Sequence, residues 1–180
     1  AGRAGRAGRA DALRAEACLV LHMQGTTRRP RCTRLSHEQV ATGALCMCCT
    51  LRLERSDVCL SHASGGLLDH ACSLIAGASV VSAPPGLLTG ASVALSSASW
   101  YSAAPTAQLL LVQAVEGAQC ASLRLARSAG AALLPSVAER VELLLGVALL
   151  VSCDAAECAP VTSNPRSACR KLRTAGVQEG

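Results

Sequence analysis

Two pairs of side chains are the most chemically capable residues of this chain: Cys46-x2-Cys49 and Cys59-x2-His62. Thiolates are soft anionic ligands and imidazole is a good neutral one. At this spacing Cys46, Cys49, Cys59 and His62 can close a tetrahedral shell around one zinc ion, with no position left open for substrate. The metal expected here is therefore structural. Cys46 and Cys49 are three apart and share a helical face, which turns Cys48 away from the set. Against the zinc reading stands a simpler one, in which reduced and mostly buried thiols serve as small apolar groups. All four histidines and seven of the 11 cysteines fall between Cys18 and Cys72, so one chelating pair also arises readily from composition. A disulfide framework is disfavoured by the odd cysteine count and the adjacent Cys48 and Cys49.

Other chemistries find less support. Gly77-x-Ser79 and Gly90-x-Ser92 begin a nucleophile elbow, but Val81 and Ala94 stand where its second glycine belongs. Lys171 lacks the preceding glycines of a phosphate-binding loop, and no G-x-G-x-x-G occurs. No catalytic residue is assigned from sequence. Basic charge gathers at the ends: residues 1–34 carry eight arginines against Asp11 and Glu16. Arg3, Arg6, Arg9, Arg28, Arg29 and Arg31 are the expected contacts for non-specific nucleic acid binding, competing with a solvated, disordered arm.

The elements that must position these residues follow from caps and periodicity. Asp11 caps a helix predicted to reach Met23. Ser36 and Gln39 form a capping box ahead of Val40, Ala44, Met47, Cys48 and Leu51, which recur at helical spacing. Gly65-Gly66 opens a further helical patch through Ile75. Residues 108–115 and 119–125 are predicted to pair as a hairpin. Ser136 and Glu139 form a second capping box for a helix whose apolar end extends over 143–151.

The resulting expectation is a mainly α chain with a small β component (α+β). It comprises a disordered basic arm over 1–34, one globular region over 35–152 and a loose basic tail over 153–180. Within the globular region lie a Cys/His-rich part at 35–72, an uncharged Ala/Ser/Gly-rich part at 71–115, and the hairpin and helix at 108–152. Hydrophobic residues make up 51% of the chain, but there is no Phe, one Trp and one Tyr, so the core is expected to be Leu/Val/Ala and weakly specified. A membrane span over 86–104, with Trp100 and Tyr101 as interface anchors, is disfavoured because that window is mostly Ser, Ala, Gly and Thr.

Residues with A/T-rich codons are scarce and Ala, Gly and Arg abundant, which implies GC-rich coding DNA. Ala1 in first position fits a fragment, a processed product or a conceptual translation. The leading expectation for function is thus no identifiable activity, in a translated GC-rich segment not selected as a folded protein. The alternatives are a zinc-stabilised binding module with arginine-rich tails on nucleic acid, and a membrane-associated protein. An intracellular location is favoured by the odd cysteine count and the lack of a signal-peptide apolar region.

Overall fold

The computed structural model describes residues 17–23, 31–62, 66–83, 98–114, 121–155 and 158–163. It opens with β1 (Ala17–Met23) and β2 (Arg31–Ser36), which pair antiparallel with Val20 opposite Arg34. The chain then runs through α1 (His37–Leu51), β3 (Val58–His62), α2 (Leu67–Ala76), β4 (Ser79–Ala83) and β5 (Trp100–Ala103). It continues with α3 (Pro105–Ala114), β6 (Leu125–Ser128), α4 (Pro135–Leu145), β7 (Ala148–Ala155) and β8 (Cys158–Ser163).

Strands β3 to β8 form one sheet in the order β4-β3-β5-β6-β7-β8. The first five are mutually parallel, and β8 closes the far edge antiparallel to β7. This overturns the mainly α expectation: the molecule is α/β. The physical reason lies in burial. A strand of a parallel sheet is covered on both faces and carries no alternation of apolar and polar residues. All four residues of β5 and all four of β6 are buried. The apolar run near 143–151 therefore looks like a helix end from sequence, yet Gly146 stops α4 in a left-handed conformation and β7 begins at Ala148.

The connections dictate two opposite helical layers. Right-handed crossovers that turn one way along a sheet place their helices on one face, and those turning the other way use the opposite face. The β3-α2-β4 unit turns one way; β5-α3-β6 and β6-α4-β7 turn the other. Accordingly Ala44, Met47 and Leu51 of α1 and Cys72 of α2 pack with Cys59, Trp100, Leu125 and Leu150. On the other face Ala138, Val141 and Leu145 of α4 pack with Leu60, Tyr101, Ala126 and Leu149. The single Trp and Tyr are neighbours on β5, so each supplies the large side chain of one layer; both are fully buried. Tyr101 Oη donates to Gln108 Oε1 (2.8 Å), and Gln108 Nε2 donates to the Arg127 carbonyl (3.0 Å). The aromatic scarcity is thus met by placing the pair at the sheet's centre, not at a membrane interface.

Several local expectations are settled by the same structure. Ser36 caps α1 as expected: its Oγ accepts from Gln39 N–H (3.2 Å) and Gln39 Oε1 accepts from Ser36 N–H (2.8 Å). Replacing Ser36 with Ala should lower the unfolding free energy by about 1 kcal/mol, measured by denaturant titration. The patch after Gly66 is helix α2. By contrast, the segment expected to be helical up to Met23 is strand β1 over its described part. The first arm of the expected hairpin at 108–115 is helix α3 over its described part, and Leu125 opens a strand parallel to β5. Helix α4 starts one residue earlier than its expected cap: Leu134 is the N-cap and Pro135 the first helical residue, with no side-chain cap. Residues 86–97 of the expected membrane window lie outside the described residues. No helix among the described residues is long and apolar enough to cross a membrane.

Candidate functional site

The sheet reverses its direction of growth between β3 and β5, which are adjacent in space but separated in sequence by α2 and β4. In open α/β sheets such a switch point leaves a crevice at the carboxyl ends of the strands, because the chain departs towards opposite faces from either side of it. The β3–β5 register holds for Cys59 opposite Trp100 and Leu60 opposite Tyr101, and it stops there. The β3–β4 register, by comparison, runs the full length from Val58 to His62. The β3–β5 ladder is therefore the short one of the two, ending at Leu60 and Tyr101.

The amino ends are pinned together instead. Ser99 N–H donates to the Val58 carbonyl (2.9 Å), and Ser99 Oγ accepts from Val58 N–H (3.0 Å) while donating to Asp57 Oδ1 (2.6 Å). Asp57 also accepts from Glu54 N–H (2.7 Å) and from the Arg124 guanidinium, whose Nη2 reaches the Arg52 carbonyl as well (3.1 Å). Burial pulls the Asp57 carboxyl upward, but the hydrogen bonds from Arg124, Ser99 and Glu54 outweigh it and hold the group below its ordinary value. Asp57, Ser99 and Arg124 precede β3, β5 and β6 respectively, so this knot is a staple across the base of the seam.

A second charged cluster lies at the opposite, carboxyl end. Arg127 comes from β6 and is 3% exposed. Its Nη1 donates to Ser102 Oγ of β5 (3.0 Å) and Asp69 Oδ1 in the first turn of α2 (3.2 Å). Its Nη2 donates to both carboxylate oxygens of Asp154 on β7 (2.8 and 2.6 Å). Ser102 and Arg127 are register partners, which is why their side chains rise from the same face of the sheet. Desolvation pushes the Asp69 carboxyl up, opposed by Arg127 and Ser102. One guanidinium thus ties together a helix and three strands beside the crevice.

The residues singled out from sequence are not brought together in this way. Cys46 and Cys49 are exposed on α1 and Cys59 is fully buried within the sheet. His62 ends β3. Burial raises the Cys59 thiol far above its ordinary value, with Asp69 adding to the effect. The Cys72 thiol is pushed up to about 12 for the same reason. Among the described residues no group of three or more His, Cys, Asp or Glu side chains is arranged to hold a metal ion. The buried thiols Cys59 and Cys72 are part of the apolar core. Of the arginines expected to touch nucleic acid, Arg31 opens β2, and Arg3, Arg6, Arg9, Arg28 and Arg29 lie outside the described residues.

No protein-family model matches the chain, and no curated protein matches it. Solved structures do. VinN in complex with L-aspartate superposes with a TM-score of 0.75 at 20% identity, over 84% of this chain and 41% of VinN. An ATP-bound RpMatB-BxBclM chimera gives 0.76 at 25% identity, over 87% of this chain and 32% of the chimera. The long-chain-fatty-acid-CoA ligase FadD1 of Archaeoglobus fulgidus gives 0.73 at 18% identity, over 86% of this chain and 34% of FadD1. The fold is an α/β fold like that of these structures. The chain spans about a third to two fifths of the length of these structures.

This likeness overturns the reading of the chain as a translated segment not selected to fold. An unselected sequence has no reason to close two opposed apolar layers on a doubly wound sheet. Nor would it neutralise a buried arginine with carboxylates 58 and 27 residues away.

Proposed function

We infer that this chain is part of an ATP-dependent ligase of the adenylate-forming kind, acting on a carboxylic acid in the crevice between the carboxyl ends of β3 and β5. The observation that carries the reading is the switch point between β3 and β5, whose ladder ends at Leu60 and Tyr101, because open α/β sheets bind ligands at the carboxyl ends of such a point. The likeness to an ATP-bound structure and to a fatty-acid-CoA ligase supports the choice of ligand.

The chemistry follows from the substrates. A carboxylate is a poor electrophile because resonance spreads its charge over both oxygens. Attack of one carboxylate oxygen on the α-phosphorus of ATP forms an acyl-phosphate anhydride bond and expels pyrophosphate, after which a thiol can displace the nucleotide. Helices α2 and α3 begin at the carboxyl ends of β3 and β5, so their first N–H groups face the region where negative charge would gather. Gly66 caps α2 without a side-chain bond, and the carboxylate of Asp69 lies in the first turn of that helix. Use of ATP also accords with an intracellular setting.

Ala104 is exposed and directly follows β5 at the mouth of the crevice. The full chain should bind ATP saturably in isothermal titration, and Ala104→Trp should weaken that binding at least about tenfold by filling the mouth, with no change in Tm. Exchange of labelled pyrophosphate into ATP that depends on an added carboxylic acid would establish the reaction type. A chain that binds no ATP at millimolar concentration defeats the reading.

A further inference from the structure

The Asp69–Arg127–Asp154 cluster holds more negative charge than a structural ion pair needs. Asp69 and Ser102 already engage the inner nitrogen of Arg127, and Asp69 is 2% exposed. Among the described residues the outer nitrogen is covered by Asp154 alone, whose side chain is 24% exposed. Asp154 also sits where the β7–β8 register slips, between Cys153 and Ala155. Between Cys153–Thr162 and Ala155–Cys158 the extra residues lie on β8, so Asp154 stands beside an irregular stretch of its neighbouring strand. The guanidinium therefore has a fixed inner edge and an outer edge closed by a partly exposed carboxylate.

We propose that the outer edge of Arg127 is a carboxylate-binding subsite, occupied in the free protein by Asp154 as an internal stand-in and opened when a ligand carboxylate displaces it. The guanidinium fork matches a planar two-oxygen group, and the group already seated there is a carboxylate. Asp69 stays behind to compensate the buried charge, so the exchange leaves Arg127 paired throughout. Ser102 fixes the rotamer from β5, one residue before the strand end that borders the crevice. The subsite deepens the ligase reading by assigning its acidic substrate a cation, and it rests on that reading only for the identity of the ligand.

The test uses simple anions on the full chain. Asp154→Ala empties the outer edge, and acetate should then stabilise the variant saturably, with an affinity at least about tenfold higher than for the parent chain, where Asp154 competes. Chloride at equal ionic strength should do nothing, and inorganic phosphate should bind more weakly than acetate. Should Asp154→Ala fail to fold, Asp154→Asn keeps the shape and removes the competing charge, and the same tenfold gain for acetate is expected. A variant that ignores acetate, or prefers phosphate to it, overturns the proposal and leaves Asp154 a structural partner. Because acetate needs no nucleotide, the two readings fail separately: ATP binding without acetate rescue sinks the subsite alone, and acetate rescue without ATP binding sinks the ligase reading alone.

Discussion

Replacing Arg127 with Met should cost about 3–5 kcal/mol of unfolding free energy, the range for removing one partner of a buried ion pair. The value follows from what stays behind. Asp69 is 2% exposed and would lose its guanidinium partner, whereas Asp154, whose side chain is 24% exposed, can turn to solvent. The pH dependence carries the diagnosis. Asp69 already lies above its ordinary value because burial outweighs Arg127, Ser102 and the charge of nearby His70, with Asp154 adding to the rise. Without the guanidinium it rises further. A carboxyl raised in the folded state takes up a proton on folding, so stability declines as pH climbs from the ordinary carboxylate value to the folded one. The deficit of Arg127→Met should accordingly be smaller at pH 5 than at pH 8 in urea titrations. A deficit independent of pH would mean that lost packing of the arginine stem, not the orphaned charge, dominates.

Asp57 should show the opposite sign. Its carboxyl is held low in the folded state by Arg124, Ser99 and the Glu54 amide. A group of this kind contributes stability above its unfolded value, near 4, and loses it as pH falls through the folded value. Asp57→Ala removes the acceptor for three elements at once and leaves Arg124, whose side chain is 25% exposed, to find water. A cost of about 3 kcal/mol at neutral pH is expected from the charge-assisted bonds lost. Asp57→Asn should lose less at neutral pH and, measured between pH 5 and 3, should lack the part of the acid destabilisation that the parent chain owes to this site.

These two clusters also show what could be read from the chain. The capping box of Ser36 and Gln39 was legible because both partners lie within one turn and need nothing else. The helix after Gly66 was legible for a similar reason: its stripe and its glycine are local. The parallel strands were not, since a segment such as β7 has no period to betray it, and β5 and β6 are only four residues long. Strand β1 looked helical because Asp11 offered a cap, and the pairing with β2 that makes it a strand comes from further along the chain. The site was the least visible part. Arg127 lies between Ala126 and Ser128 near the end of a short apolar run, an unusual place for a charge, and that oddity was the available signal. Its meaning depends on Asp69 and Asp154, which only the βαβ crossovers bring near. The conspicuous cysteines misled for a related reason: spacing along the chain says nothing about which residues the sheet buries.

The seam between β3 and β5 has one more consequence, for the order of folding. Within each half the strands meet over modest separations, as with Ser102 and Arg127, 25 residues apart. Joining the halves at Val58 and Ser99 spans 41 residues, and the added loop-closure cost is only about 0.4 kcal/mol, too little by itself to delay the step. The length of the ladder matters more. Two register pairs give a junction far less cooperative reward than the full-length β3–β4 ladder receives. The two halves are therefore expected to behave as separate foldons, with the base staple at Asp57 and Ser99 closing the junction late. The crevice at the other end of that junction would then be among the last features to form on folding and among the first to be lost when the protein begins to open.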